Sequence, residues 1–466
     1  MKLFASIAHK FGLIVALMLG VTSGNAQHNP NSVYSRFGLG LLDNPGNVVH
    51  YGMGGITTPL SDPIALNLAN PASYSFLDVT NLQTTVKGTS TNSVYRGNTS
   101  TYRNGQIHEL SMGFKKPNTK WAMAMGLTPY SAVDYRFSSK DTLSDTLTAN
   151  YNYTGRGGIN KVTLGFSRVF LLGQGNSKHN DSDSSKHRLH QISIGVNSNY
   201  LFGNITRENV AAFNQTEHYS TVENLNLWVK GIALEAGIQY KVNLTTRRDQ
   251  QRRIIGGSAL QLGATYSLET SLNAEYSELL YSIRFAGNSA FRDTANHIDA
   301  VKGNLILPQK IQVGAAYKLF NKKWGTFVLA GEYRVQDWSK YKLEITEDVN
   351  LDDGLNKASG YAVGLEYKPT TDVSNNFFNR LHYRVGYRNY ESELILNQTR
   401  IMQSAATAGI TIPVIRSQTR IHIGAEWGQR GTTEAGLVQE NYIGFMFGFS
   451  LSPSSFDRWF RQVKYD

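Results

Sequence analysis

Two stretches of the sequence, residues 51–55 and 179–190, come closest to a chemical site in residue type and spacing. Gly52, Gly54 and Gly55 precede a run of small residues and prolines. Glycine-rich loops bind nucleotide phosphates when a Lys-Ser/Thr pair follows at a fixed distance, or when the glycines lie between a strand and a helix. Neither pattern is present here. The glycines therefore do not predict a nucleotide site.

Imidazole and carboxylate groups, which are common metal ligands, cluster in the second stretch. They are His179, Asp181, Asp183, His187 and His190. Their spacing matches no metalloenzyme motif, and a solvated polar turn has the same composition. Residues 350–354, Asn-Leu-Asp-Asp-Gly, resemble a calcium loop without its remaining ligands and are interpreted as an external turn. We predict no catalytic site, metal or cofactor, and a protein that is not an enzyme.

The N-terminus predicts export. A basic start, an apolar stretch at 11–21 and small residues at 24–26 are typical of a signal peptide. We predict that residues 1–26 form this signal and that cleavage occurs before Gln27. The sequence contains no cysteine, which excludes disulfides and a lipoprotein anchor.

The composition favours many amphipathic strands. The chain has 43 Gly, 25 Tyr and 21 Phe, and after the signal no apolar run is long enough for a membrane helix. The net charge is +11, but the basic residues are scattered, so we predict no nucleic-acid partner. The pairs Arg247-Arg248 and Arg252-Arg253 are interpreted as a solubilised turn, with anionic lipid head groups as the alternative partner.

Apolar and polar residues alternate with period two after residue 78, which indicates β-strands. Ile443, Phe445 and Phe447 alternate with Gly444 and Met446. The same alternation recurs at 192–197, 311–318 and 421–427. A soluble β-sandwich would alternate as well. The export signal and strands of about ten or more residues favour a membrane barrel with an apolar outside and a polar lumen.

Fourteen strands can be counted, an even number, as bacterial single-chain barrels require. They are predicted at 79–92, 105–116, 120–138, 156–171, 189–206, 223–243, 254–283, 301–319, 324–345, 358–369, 380–396, 401–414, 418–431 and 439–452. Long polar loops are predicted at 139–155, 284–298 and 346–357. The barrel then spans 79–452, both of its ends lie in the periplasm, and residues 453–466 form a periplasmic tail.

Residues 27–78 precede the first strand and show no sustained period. We predict that they form a hatch, or plug, inside the lumen, because a barrel of 14 strands is wide enough to need filling. The polar faces of the strands should line the same lumen. Their charged members are Glu332, Arg334, Glu366, Arg384 and Glu426. Cross-strand ion pairs and guidance of a ligand carboxylate are the two roles that these residues suggest.

Several short motifs resemble a known family when they are taken in order. They are the glycine-rich stretch that ends in Asn70-Pro71-Ala72, Leu307-Pro308 followed by 314–317, Glu332-Tyr333 with Trp338-Ser339, and 384–387. The chain resembles the FadL/OmpP1/TodX family of outer-membrane transporters for hydrophobic compounds. Residues 34–38, 428–433 and 457–460 are similar to the branch of that family found in Bacteroidetes.

This resemblance implies an outer-membrane barrel with a hatch, a hydrophobic ligand such as a fatty acid, and sideways exit at a kink in the third strand. Gly126 and Pro129 are the candidates for the kink, because proline donates no hydrogen bond to the ladder. A bulge that only bends the strand is the alternative. The candidate hatch and gate residues are Gly54, Gly55, Asn70, Pro71 and Ala72.

Two functions follow from these observations. The first is passive uptake of hydrophobic small molecules across the outer membrane, with the hatch as gate. The second, which other branches of the same family suggest, is a structural subunit of an outer-membrane secretion or assembly complex. The partners are then the lipid of the outer membrane, a hydrophobic ligand, and a second protein in such a complex.

Overall fold

The computed structural model describes residues 32–43, 46–116, 118–145, 147–172, 190–215, 218–251, 254–286, 289–345, 354–370, 376–414 and 418–452. The predicted signal peptide and tail lie outside this part of the chain. So do Arg252-Arg253, Asn350–Asp353 and all of the candidate metal cluster except His190. No helix in the described part is long and apolar enough to cross a membrane.

Strands make up most of the described chain and form one sheet. They are β1 (Leu41–Leu42), β2 (Asn81–Tyr95), β3 (Asn98–Phe114), β4 (Trp121–Thr142), β5 (Thr148–Leu172), β6 (His190–Phe213), β7 (Ser220–Arg248), β8 (Ile254–Ser267), β9 (Thr270–Ala286), β10 (Ser289–Leu307), β11 (Lys310–Asn321), β12 (Gly325–Asp337), β13 (Lys342–Glu344), β14 (Lys357–Lys368), β15 (His382–Leu396), β16 (Thr399–Pro413), β17 (Arg420–Arg430) and β18 (Gln439–Leu451). The helices are α1 (Val48–Tyr51), α2 (Phe377–Arg380) and 3₁₀ turns at Val33–Arg36, Pro71–Phe76, Trp338–Lys340 and Glu434–Gly436.

The sheet closes into an antiparallel barrel of 14 strands, which confirms the predicted fold class. β18 pairs with β2 from Gln439↔Val94 to Leu451↔Leu82. Three wall strands are each interrupted once, so β8 continues into β9, β10 into β11 and β12 into β13. β7 accordingly pairs with both β8 and β9. We call the end that carries Asn81 and Leu451 the terminal end, and the opposite end the far end.

The predicted loops at 139–155 and 284–298 are wrong, because strands run through both. β4 extends to Thr142, β5 begins at Thr148, and only residues 287–288 separate β9 from β10. β7 has 29 residues and β18 has 13, whereas about 9–11 residues suffice to cross a bilayer. The long strands project beyond the bilayer at the far end. There the outward face needs no apolar residues, so alternation weakens although the backbone ladder continues.

Outward-facing side chains of the wall are apolar and exposed. Ile443, Phe445 and Phe447 are 47%, 61% and 42% exposed, and the intervening Met446 is buried. Other outward members of this belt include Met125, Leu164, Val196, Ile238, Val313, Leu329, Val363 and Val385. An apolar outside around a lumen with buried charges is the arrangement of transmembrane barrels.

Residues 32–78, which we call the plug segment, are packed against the inward faces of the wall. Ile56, Leu66 and Tyr74 are fully buried. At the far end of the lumen, Tyr34 and Leu39 join a large apolar cluster with wall residues such as Leu201 and Leu305. The rest of the plug segment meets the wall through smaller apolar clusters, such as Met53 and Ile56 with Ala330, and through polar contacts.

Candidate functional site

The wall is incomplete between β3 and β4. The two strands share five paired residues, 110–114 with 127–123, although β3 pairs with β2 and β4 with β5 along almost their whole lengths. Just past residue 127, the register of β4 with β5 shifts between Pro129 and Ser131. Proline has no N–H to donate, so the β3–β4 ladder ends beside it. We call the unpaired region beyond residue 127 the seam.

Gly126 does not contribute to this break, contrary to the prediction. It pairs with Ser111 on one side and with Thr163 on the other, without a register shift. A Cβ atom at Gly126 would lie 2.4 Å from the Leu68 side chain. Glycine is required there because the plug segment packs directly on the wall.

The plug segment covers the seam from inside the barrel. β1 adds to the edge of β4 that β3 leaves free, through Leu41↔Ala132 and Leu42↔Ser131. Gly40 has φ +90°, and a Cβ there would lie 2.4 Å from the Ala132 carbonyl oxygen. The close approach of β1 to β4 therefore depends on glycine at this position.

Asp43 connects the two sides of the seam. Its backbone N–H donates to the Tyr130 carbonyl on β4 at 3.0 Å. Its carboxylate accepts a hydrogen bond from Gln106 on β3 at 3.0 Å and lies 3.2 Å from the His108 ring and 3.5 Å from the Lys87 ammonium. A single plug residue thus bridges the two strands that the missing ladder leaves apart.

A cavity of about 190 Å³ lies beside β1 in the lumen. Its apolar wall includes Leu41, Leu42, Leu201, Ala233, Leu307 and Ile401. Lys161, Glu235 and Lys310 also line it. Among the described residues, neither lysine ammonium forms a hydrogen bond or an ion pair. The cavity therefore combines apolar surface with charged groups of both signs.

Glu332, a predicted lumen residue, binds the backbone of the plug segment. One oxygen of its buried carboxylate accepts the N–H groups of Thr57 at 2.8 Å and Thr58 at 2.7 Å. The other oxygen accepts a hydrogen bond from Gln312 at 3.3 Å. This carboxylate fixes the plug segment to β12.

Glu366 and Arg384 lie on adjacent strands and form an ion pair of 2.5 Å. Lys368 lies 3.0 Å from Glu366 and 3.8 Å from Asp62 of the plug segment, and Arg420 lies 3.1 Å from Asp62. Burial alone would raise the pKa of the Asp62 carboxyl, but Arg420 and Lys368 hold it well below its usual range. Asp62 therefore stays ionised and joins the plug segment to the network.

The remaining predicted lumen residues are also paired within the protein. Glu426 forms a buried ion pair with Arg388, and Arg334 lies over the Tyr390 ring at 3.3 Å from its centroid. The geometry of these side chains is that of contacts across the wall, the first of the two roles that the sequence suggests.

Asn70-Pro71-Ala72 packs against the wall away from the seam. The Asn70 amide donates to the Thr58 carbonyl at 2.7 Å and accepts from the Ala72 N–H at 3.0 Å. Ser193 on β6 donates to the Ala72 carbonyl at 2.6 Å. The motif thus caps the 3₁₀ turn at 71–76 and holds it on β6.

Gly54 and Gly55 form a tight turn of the plug segment, with φ +74° and +84°. The Gly54 N–H donates to the Thr407 hydroxyl at 2.9 Å. A Cβ at Gly54 would lie 2.9 Å from the Tyr387 carbonyl oxygen. Both the backbone angle and the space require glycine at this position.

Sequence reasoning missed Asp43 and Asp62, the plug residues with the most charged partners. Each is an acidic residue within a stretch of small and apolar residues, and that contrast is the signal that was available. In the described part of the chain, no group of three or more His, Asp or Glu side chains is arranged to hold a metal ion.

We expect the plug segment to bind the wall less tightly as the pH falls from about 6.5 to 4. Burial, and then Arg384, lower the pKa of His50 to about 4, and Asp62 and Glu366 partly oppose them. A released His50 takes up its proton near pH 6.5. Binding is therefore fully favoured above that pH and weakens by up to about tenfold per pH unit below it.

A cysteine placed at Met53 reports this release, because a thiol reagent labels it faster when the plug segment leaves the wall. Met53 is 1% exposed and the chain has no cysteine of its own. His50→Gln should give a flatter pH profile than the parent protein. Equal slopes in the two proteins would contradict the assignment to His50.

Solved structures with the same fold are outer-membrane channels. Toluene transporter TbuX of Ralstonia pickettii matches with a TM-score of 0.54 and 11% identity, over 88% of this chain and 98% of that one. Toluene transporter TodX of Pseudomonas putida matches with 0.51 and 15%, over 88% and 98%. The CymD monoaromatic hydrocarbon channel matches with 0.50 and 12%, over 89% and 98%. No curated protein matches the sequence.

The closed barrel, its apolar belt and its filled lumen define a transmembrane β-barrel. The chain belongs to the BamG family, whose model matches residues 8–466. The predicted resemblance to the FadL/OmpP1/TodX family is supported at the level of fold, by the likeness to TbuX and TodX at low identity, whereas the family model that matches is BamG. The comparisons do not support the narrower Bacteroidetes branch.

Proposed function

We propose that this protein is an outer-membrane channel for passive uptake of hydrophobic small molecules, such as long-chain fatty acids. The plug segment acts as its gate, and the ligand leaves sideways through the seam. The observation that carries the proposal is the seam itself, where β3 and β4 stop pairing next to a lumen cavity. Among the described residues, β1 and Asp43 lie between that cavity and the gap.

The lining of the cavity supports an amphipathic ligand with an acidic head. Its apolar wall suits a hydrocarbon chain, and Lys161 and Lys310 could receive a carboxylate beside the acidic Glu235. TbuX and TodX, which share the fold, are toluene transporters, and CymD is a monoaromatic hydrocarbon channel.

A disulfide lock across the seam tests this function. Leu42→Cys and Ser131→Cys place two thiols on directly paired residues. We expect oxidation to reduce uptake of a labelled fatty acid to the level of cells that lack the protein, because β1 then stays on β4. Reduction should restore uptake.

A matched pair, Ile423→Cys with Phe447→Cys, joins paired, outward-facing residues of β17 and β18. Its oxidation should leave uptake unchanged. The proposal is wrong if the seam lock has no effect, or if deleting the gene leaves hydrophobic uptake unchanged.

The far end favours a second candidate, a structural subunit of an outer-membrane complex. β5, β6 and β7 have 25, 24 and 29 residues, so they carry a sheet well beyond the bilayer. A channel alone does not need this surface. A partner that survives mild detergent extraction supports this candidate, and isolation as a monomer with no crosslinked partner argues against it.

A further inference from the structure

The edge of β3 that faces β4 has no strand partner along residues 98–109 of the described chain. β1 adds to β4 and not to β3. Among the described residues, the plug segment reaches this edge through side chains of β3, where Gln106 binds Asp43 and His108 binds Gly46. One side of the seam is therefore occupied from within, and the other side is open.

The turn before β3 identifies which backbone groups are open. Arg96 and Gly97 have φ +47° and +82° and form a two-residue hairpin loop closed by the pair Tyr95↔Asn98. In such a loop the closing residues exchange both hydrogen bonds, and alternate residues then face the partner strand. The register stays regular from residue 98 to 107. The residues whose N–H and C=O groups point into the seam are Thr99, Thr101, Arg103 and Gly105.

This edge lacks the features that usually prevent strand pairing. Exposed edges are protected by proline, by charged residues, especially lysine, or by bulges. Residues 98–107 contain no proline and no lysine, and their only charged residue is Arg103. The opposite edge on β4 carries Pro129, a register shift, Asp134 and Arg136. The β4 edge is protected, and the β3 edge can accept a strand.

The surroundings of the edge also fit an extended chain. A space of about 90 Å³ beside it is lined by Asn104, Gln106 and Ala132. On the outward face, Ile107 is 69% exposed. Unpaired backbone groups are unfavourable next to lipid, so filling this edge stabilises the barrel in the membrane.

We propose that the open edge of β3 binds an extended segment of a separate polypeptide, which adds as a β-strand within the seam. The bound segment places polar side chains towards Asn104 and Gln106 and an apolar side chain beside Ile107. Backbone pairing supplies the affinity and the alternating side chains supply the specificity, as in other strand additions. This inference goes beyond the channel and rests on the second candidate function, for which it names the contact surface.

Site-resolved photocrosslinking in intact outer membranes tests the proposal. A photoreactive amino acid replaces Thr99, Thr101 or Arg103 in turn, and mass spectrometry identifies the residue that each one captures. We expect all three to capture one segment of one partner, with the captured position moving by two residues at each step. Gln429, an exposed residue on β17 between two paired strands, is the control and should capture no such segment.

Thr101→Pro removes the N–H group that points into the seam and leaves the pairing with β2 intact. Thr101→Val keeps this N–H group. Capture at Thr99 should be lost with proline and retained with valine, and a protected cysteine at Met53 verifies that each variant folds. Adducts with lipid alone, with a second copy of this chain, or with unrelated positions would overturn the proposal. If the protein still copurifies with a partner captured elsewhere, the second candidate function survives and this binding surface is wrong.

Discussion

Replacing Glu332 by alanine is expected to release the plug segment and to speed labelling of a cysteine at Met53 by roughly 100-fold to 1,000-fold. The buried Glu332 carboxylate accepts the N–H groups of Thr57 and Thr58. Alanine leaves both donors buried without an acceptor. A hydrogen bond to a charged group contributes about 1.5–3 kcal/mol, so losing two of them shifts the binding equilibrium strongly.

Two variants separate this effect from a general loss of stability. Glu332→Gln keeps an amide oxygen in the same place and should have a much smaller effect. Glu344→Gln removes an exposed carboxylate on β13 and should have none. Labelling of the Glu332→Ala protein at the parent rate would show that this carboxylate does not hold the plug segment.

Removing one partner of the Arg388–Glu426 pair is expected to destabilise the barrel by about 3–5 kcal/mol. The two side chains are 2% exposed and form an ion pair between β15 and β17. Arg388→Met leaves the Glu426 charge buried without its partner. Urea unfolding of the protein in lipid vesicles measures the change in the free energy of unfolding.

The double variant Arg388→Met with Glu426→Gln should recover much of that loss, because no unpaired charge remains buried. Arg400 and Glu391 form an exposed pair of 3.6 Å, and Arg400→Met should cost less than about 1 kcal/mol. If the double variant is as unstable as the single one, packing of the arginine, and not its charge, explains the result.

The wall of the barrel was predictable because lipid imposes a simple rule on outward residues. Wherever Phe445 and Phe447 and their counterparts alternate with small residues, the strand and its outward face follow. The rule ends where the bilayer ends, which is why the ends of the long strands within 139–155 and 284–298 were predicted as loops. Beyond the bilayer the strands are held by backbone hydrogen bonds, and these leave no alternation of apolar and polar side chains in the sequence.

The partners of the lumen residues were not predictable, because they depend on strand register and on the path of the plug segment. The inward position of Glu332 follows from alternation, but its contact with Thr57, 275 residues earlier, does not. Pro129 could be proposed as the break from the sequence, because the missing N–H of proline is a property of that residue alone. Gly126 was wrongly assigned to the break. Glycine is needed there because of Leu68, which is close in space but distant in sequence.

The contact between Ser32 and Glu440 has a consequence for the order of folding. The Ser32 hydroxyl donates to a carboxylate 408 residues later in the chain, on the last strand of the wall. Contacts this far apart in sequence form slowly, because the entropy of closing so long a loop must be overcome first. The N-terminal end of the plug segment therefore cannot reach its final place until β18 is present. Ser32 is among the last residues to settle, and the wall must begin to assemble around a segment that is still unfolded.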